Sequence, residues 1–231
     1  MPAEPSPAPD IIAIDGPAAS GKSSTAKAVA SALGYAHLDS GALYRGVTLV
    51  AIQECGAVSG APLDAGALLR AAEAKRLELR FDGSAFSVML EGRPVGIRIR
   101  EAEVTHLVSA VSALPQVRTW VTDRLRALGQ GARPLVVDGR DIGTVVFPGA
   151  RLKIFLTASP RTRAARRLVQ RGEGATTGRV ETEAALLAAR DAADAGRPVA
   201  PLRMADDAVA LDGTELSFEE QVAEIVRLAR K

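Results

Sequence analysis

Cysteine is almost absent: Cys55 stands alone in 231 residues, which excludes an intramolecular disulfide and a cysteine metal cluster and fits a reducing compartment. Aromatic residues make up only 3% of the chain, so Ala, Leu and Val must carry most of the packing. No sign of charge dominates. The 29 Lys and Arg face 27 Asp and Glu, a formal net charge of +2, too balanced to argue for nucleic acid or a membrane surface as partner. No run approaches the roughly 18 uncharged apolar residues of a membrane-spanning helix. The opening MPAEPSPAPD lacks a basic flank and an apolar centre, so residues 1–9 read as a disordered cap rather than a targeting signal. No extended apolar seam is evident, and a soluble monomer in the cytoplasm is the expectation. What is present is ample for a globular core, with 47% hydrophobic residues.

The most informative stretch is IIAIDGPAASGKSSTAKAVASA, from Ile11 to Ala32. An apolar run ends at Asp15, and Gly16, Gly21, Lys22 and Ser23 then fill the pattern G-x-x-x-x-G-K-S/T before a helical sequence begins. A strand before and a helix after are the context this phosphate-loop motif requires. Gly16, Pro17, Ala18, Ala19, Ser20, Gly21, Lys22, Ser23 and Ser24 form the ATP-binding candidate, with every backbone N–H except at Pro17 available to phosphate oxygens. Lys22 would bring an ammonium to the β and γ phosphates, and Ser23 a hydroxyl to Mg²⁺.

Along the chain, Lys22 to Leu33 reads as a helix stopped at Gly34, and Tyr35 to Leu38 as a short strand. Asp39 and Ser40 then cap a helix carrying Tyr44 and Arg45, which would face the crevice at the carboxyl ends of the strands. From Gly56 the texture changes. A helix, Ala65 to Arg76, precedes two alternating runs, Leu77-Leu79-Phe81 and Phe86-Val88-Leu90, with turns at Asp82-Gly83 and Glu91-Gly92. These predict a small antiparallel insert. Helices over Ala102–Ala113 and Val117–Leu128 follow, then a buried strand, Leu135 to Val137, ending in Asp138-Gly139-Arg140-Asp141. An aspartate on such a strand end suits the position that holds Mg²⁺ or its waters, and an arginine between two carboxylates suits an oriented phosphate ligand.

After a strand at Leu152 to Leu156, Pro160 opens a helix bearing Arg161, Arg163, Arg166, Arg167 and Arg171. Spacings of three and four let Arg163 converge with Arg166 or Arg167 on a polyphosphate. Residues 171–178 read as a flexible connection to a second helix, Glu181 to Ala195, with Arg190 and Asp194 on one side and Arg197 just beyond. The pair reads as a lid that excludes water from a transferring phosphoryl group. A strand at Ala208 to Leu211 and a helix opened by Ser217 and Glu220, in a capping-box pattern, close the chain. An N-K-x-D segment, the usual mark of a guanine-specific GTPase, is missing.

The segments IDGPAASGKSS, HLDSGALYRG, VDGRDIGTVVFPGA, KIFLTAS, RDAADAGRPVAPL and ADDAVALDGTELSFEE, in this order, resemble the nucleoside monophosphate kinase family of P-loop kinases in its bacterial cytidylate kinase branch, from Ile11 to the C-terminus. The resemblance implies an α/β fold: a P-loop kinase core with a five-stranded parallel sheet over residues 10–60, 103–157 and 199–231, an antiparallel monophosphate-binding insert over 61–102, and a helical lid over 158–198. It implies transfer of the γ-phosphoryl group of ATP to CMP or dCMP, with Mg²⁺, in pyrimidine nucleotide metabolism. It assigns Ser40, Tyr44, Arg45, Ser109, Arg118, Asp138, Arg140, Asp141, Arg190, Asp194 and Arg197 to the monophosphate. Within that set Arg45, Arg140 and Arg197 clamp the phosphate, Ser109, Arg118 and Asp141 read the cytosine edge, and Arg190 with Asp194 meets the sugar. Lys22, Arg140, Arg163 and Arg166 stabilise the transferring charge, and Ser23 holds the metal, with Asp39 or Asp138 contacting it through water. Leu125 stands where family members often carry Gln. A related kinase acting on UMP, AMP or another small acceptor, and a nucleotide sensor without transfer, remain alternatives at this point.

Overall fold

The computed structural model describes residues 10–131 and 133–231; the cap expected over residues 1–9 lies outside them. In chain order, β1 (Ile11–Asp15) and α1 (Lys22–Leu33) flank the phosphate-loop sequence, and β2 (Ala36–Asp39) feeds α2 (Ser40–Cys55). Helix α3 (Ala65–Ala74) precedes β3 (Glu78–Phe81), β4 (Phe86–Leu90) and the two-residue β5 (Arg93–Pro94). Then come α4 (Ala102–Ala113), α5 (Pro115–Gly129), β6 (Leu135–Gly139), β7 (Leu152–Thr157), α6 (Pro160–Gln170), α7 (Thr177–Ala195), β8 (Val209–Asp212) and α8 (Phe218–Ala229).

The five strands β2-β6-β1-β7-β8 form one parallel sheet in that spatial order. Strand β1 is buried along its whole length because both faces are covered. Its alternate residues divide between two cores. Ile12 and Ile14 join Val29 of α1 and Ile225 of α8 on one face, while Ile11 and Ala13 join Leu43, Val121 and Leu125 from α2 and α5 on the other. Leu125 is fully buried, and an apolar residue suits that position. In such a sheet the ligand crevice opens at the carboxyl ends of the strands. Gly16, Ser40 and Arg140 directly follow three of those ends.

Strands β3-β4-β5 make the expected antiparallel insert. Its apolar residues Leu77 and Val88 belong to the same core as α2. They pass so close to Gly46 that a Cβ there would lie 2.9 Å from Leu77 Cδ1 and 3.0 Å from Val88 Cγ1. The hairpin tip reaches the main sheet, where the His37 N–H donates to the Ser84 carbonyl at 3.1 Å. Trp120 of α5 donates from Nε1 to Glu73 of α3 at 2.7 Å, with Arg124 stacked 3.4 Å from its ring centroid.

Local signals set most helix starts. Asp39 accepts the Ala42 N–H at 3.1 Å, Ser159 caps α6 ahead of Pro160, Pro115 opens α5, and Ser217 with Glu220 forms the capping box of α8. Two expectations need correction, and one element was not expected. Helix α3 ends at Ala74, because Arg76 takes φ 48°. Helix α7 starts at Thr177, four residues before Glu181, and Arg171 pairs with Glu183 at 2.7 Å, so the connection is shorter than expected and tied to α7. Residues Ile142–Val146 form a single wide helical turn that the sequence did not announce.

Candidate active site

The phosphate loop is shaped by glycine at its first position. Gly16 holds φ 154°, and a Cβ there would stand 2.0 Å from the Leu156 carbonyl oxygen, so no side chain fits between the loop and β7. Lys22, at the start of α1, is buried and donates from Nζ to the Pro17 carbonyl at 2.8 Å. Burial, reinforced by the neighbouring Arg140, pulls its pKa down to about 7. The Ser23 hydroxyl donates to Asp138, whose other carboxylate oxygen lies 2.8 Å from His37 Nε2. Ser40 Oγ donates to the Asp138 carbonyl at 2.7 Å.

Asp39 lies beside this group. Burial and the charge of Asp138 push its carboxyl pKa up, against Arg100 at 3.0 Å. Among the described residues no cluster of three or more His, Cys, Asp or Glu could enclose a metal by itself. Ser23, Asp138 and Asp39 instead supply a hydroxyl and two carboxylates beside the loop. That set fits Mg²⁺, which takes oxygen ligands and is usually bound through one or two carboxylates plus substrate phosphates.

Asp15 closes β1 and supports the far wall. Its two oxygens accept the Ile142 and Gly143 N–H groups at 2.8 and 2.7 Å, fixing the wide turn that follows Asp141. Burial pushes its pKa up to about 6 in spite of those bonds.

In the same crevice, arginines are held in place by buried carboxylates. Arg118 and Asp141 pair at 2.5 Å, both buried, and Arg118 also donates to the Ser112 carbonyl at 3.2 Å. Burial works against the Arg118 charge, but Asp141, Tyr44 and Asp194 together outweigh it and raise the pKa. The Arg118 guanidinium stands 5.3 Å from the centre of the Tyr44 ring. Asp194, only 2% exposed, accepts from Arg140 Nε at 2.9 Å and from Arg197, while Arg197 also donates to Ser112 Oγ at 3.0 Å. Arg45 donates to the Ile99 carbonyl at 3.2 Å and Thr105 Oγ1 at 2.9 Å, and burial, then Arg190, lower its pKa to about 10. Arg190 is lowered by burial and by Arg140, and its Nε is buried without a hydrogen-bond partner among the described residues. A wall of guanidiniums that disfavour one another is a wall that favours an anion.

These groups line one cavity of about 460 Å³. Lys22, Ser23, Asp39, Ser40, Tyr44 and Arg45 stand on its wall, as do Arg118, Asp138, Arg140, Asp141, Arg166, Arg190, Asp194 and Arg197. From the rest of the loop, Ala18, Ala19, Gly21 and Ser24 reach the wall, and Gly16, Pro17 and Ser20 do not. Two expected residues are also off the wall. Ser109 is replaced there by Ser112, one turn later on α4. Arg163 is buried and bonded to the Ala158 and Ala18 carbonyls at 3.1 and 2.9 Å and to Asp191 at 2.6 Å. Arg100 and Ser112 join the wall although sequence reasoning passed over them, and so does Arg167, which helical spacing offered beside Arg166. The available signal for Ser112 was its place one helical turn from Ser109.

A sequence model of the family described as cytidylate kinase matches residues 12–231. A protein of Streptomyces avermitilis named cytidylate kinase is 45% identical over 222 residues, which cover 96% of this chain and 93% of that protein. Proteins of the same name from Mycobacterium avium and Geobacillus are similar too. The first is 44% identical over 217 residues, 94% of this chain and 93% of that protein. The second is 42% identical over 220 residues, 95% of this chain and 96% of that protein.

Proposed function

The chain belongs to the cytidylate kinase family, and from this we propose that its cavity seats ATP at the phosphate loop and CMP or dCMP against the arginine wall, giving ADP and CDP or dCDP. The observation that carries the reading is the meeting of two cationic groups on the wall of one cavity. Lys22 and Ser23 line it from the phosphate loop, and Arg140 and Arg197, joined through the buried Asp194, line it as well.

A phosphate oxygen of the monophosphate attacks the γ-phosphorus of ATP in line, and the bond from that phosphorus to the bridging oxygen of ADP breaks. The acceptor is already an anion, so no side-chain base is required. Lys22, the loop N–H groups, Arg140 and Arg166 stabilise charge on the transferring group. Magnesium bound with ATP supplies neutralisation of phosphate charge; Ser23 would hold it directly, and Asp138 or Asp39 through water. The Arg118–Asp141 pair offers donors and an acceptor to the cytosine edge, while Arg45 reaches the phosphate from α2 and Arg190 with Asp194 meets the sugar. Residues 61–102 serve as the monophosphate insert and 158–198 as the lid. Balanced charge supports action on small nucleotides rather than nucleic acid, and the free, exposed Cys55 supports a reducing, cytoplasmic setting.

Coupled ADP release with ATP, Mg²⁺ and one acceptor at a time tests this. Turnover is expected to be fastest with CMP and dCMP. Faster turnover with UMP or AMP overturns the specificity. ADP release that no acceptor increases, from folded protein that binds ATP, identifies a sensor instead.

A further inference from the structure

The lid hairpin holds the phosphate loop by one residue. Ala18 has both its backbone polar groups taken up by side chains from the two lid helices: its N–H donates to Asp191 of α7 at 2.8 Å, and its carbonyl accepts from Arg163 of α6 at 2.9 Å. The two side chains close the ring by pairing at 2.6 Å. Arg163 is anchored in turn, its Nε donating to the Ala158 carbonyl at 3.1 Å just beyond β7. Apolar contact surrounds this ring, with Ala18 buried in one cluster with Ala164, Leu168, Val180 and Leu187. The next loop residue, Ala19, is held at φ 58°, a region alanine disfavours and keeps only where its surroundings enforce it.

We infer that Arg163 and Asp191 are positioning residues that lock the phosphate loop to the lid at Ala18 and so set its fit to the triphosphate. The inference rests on the reading that this loop holds ATP. It gives Arg163 a different task from charge stabilisation, since its Nε and Nη1 are committed to two carbonyls and a carboxylate and it stands off the cavity wall. The ring also makes a specific demand on Asp191, a residue with no side-chain place on that wall.

The two tasks separate in a double-mutant cycle with Arg163→Ala, Asp191→Ala and the pair together. The readouts are kcat, KM for ATP and for CMP, and calorimetric ATP binding without acceptor. Each single change is expected to weaken ATP about tenfold, the scale of a lost hydrogen bond to a charged group, with KM for CMP within about twofold of the parent. The double variant is expected to be no worse than either single. Asp191→Asn, which keeps an oxygen for the Ala18 N–H but loses the ion pair, should fall between. The inference is overturned if Asp191→Ala leaves ATP binding unchanged, or if the two losses add. Should the alanine variants fail to melt cooperatively, Asp191→Asn and Arg163→Lys are judged by the same split between ATP and CMP. A parent enzyme whose ADP release does not saturate with ATP would instead sink the reading of the loop itself.

Discussion

Lys22 is buried beside Arg140 and Arg190, and both oppose its charge. Its folded pKa of about 7 lies below the ordinary 10.5, so between these values the native state has released a proton that the unfolded chain still holds. Stability from this group therefore rises as pH climbs from 7 towards 10.5, and the burden of the buried charge is full below 7. Lys22→Met should melt a few degrees above the parent at pH 7, with the gap narrowing by about pH 10, while phosphoryl transfer falls by orders of magnitude. Thermal melts at the two pH values, with ADP-release rates, check both halves; a gap that widens with pH contradicts the account.

The same scale shows where side chains were legible. Asp138, Arg140 and Asp141 stood out because charge at a strand end has no packing role, and they do line the cavity. Arg163 and Ser109 were harder, since helical spacing groups residues by face without saying how deep each sits. Arg166 reaches the wall while Arg163, three residues earlier, is tucked against the loop. His37 drew no attention in the apolar run before Asp39, yet it meets Asp138.

At the scale of elements, the legible parts were those written locally. The phosphate loop, the Asp39 cap and the Ser217–Glu220 box need only a few adjacent residues. The wide turn at Ile142–Val146 depends on Asp15, 127 residues from Ile142, and no local pattern carries that information. Helix α7 began early: Thr176 and Thr177 look like loop residues and are exposed, while Val180, one turn in, is buried with Ala164 and Leu168 of α6. The loop's first glycine offers a test. Gly16→Ala would drive a Cβ into the Leu156 carbonyl and part the loop from β7. We expect a loss of about 2 kcal/mol or more in urea unfolding, with ATP binding weakened further than CMP binding. Unchanged stability would contradict the contact.

For the whole molecule, alternation of strand and helix made a parallel sheet legible, but the order β2-β6-β1-β7-β8 is decided by how the crossovers pack, which periodicity does not encode. Nor did the sequence reveal that the insert shares a core with α2. One consequence lies in the seam between Trp120 and Glu73, where the chain's single tryptophan meets the insert's helix. If the shared core makes insert and sheet one cooperative body, tryptophan emission and far-ultraviolet circular dichroism should trace the same urea midpoint. An earlier loss in the emission would mark an insert that lets go first. In the folded enzyme, that indole is a built-in optical gauge on the joint, able to time the insert's response to a nucleotide in a stopped-flow cell without any added dye.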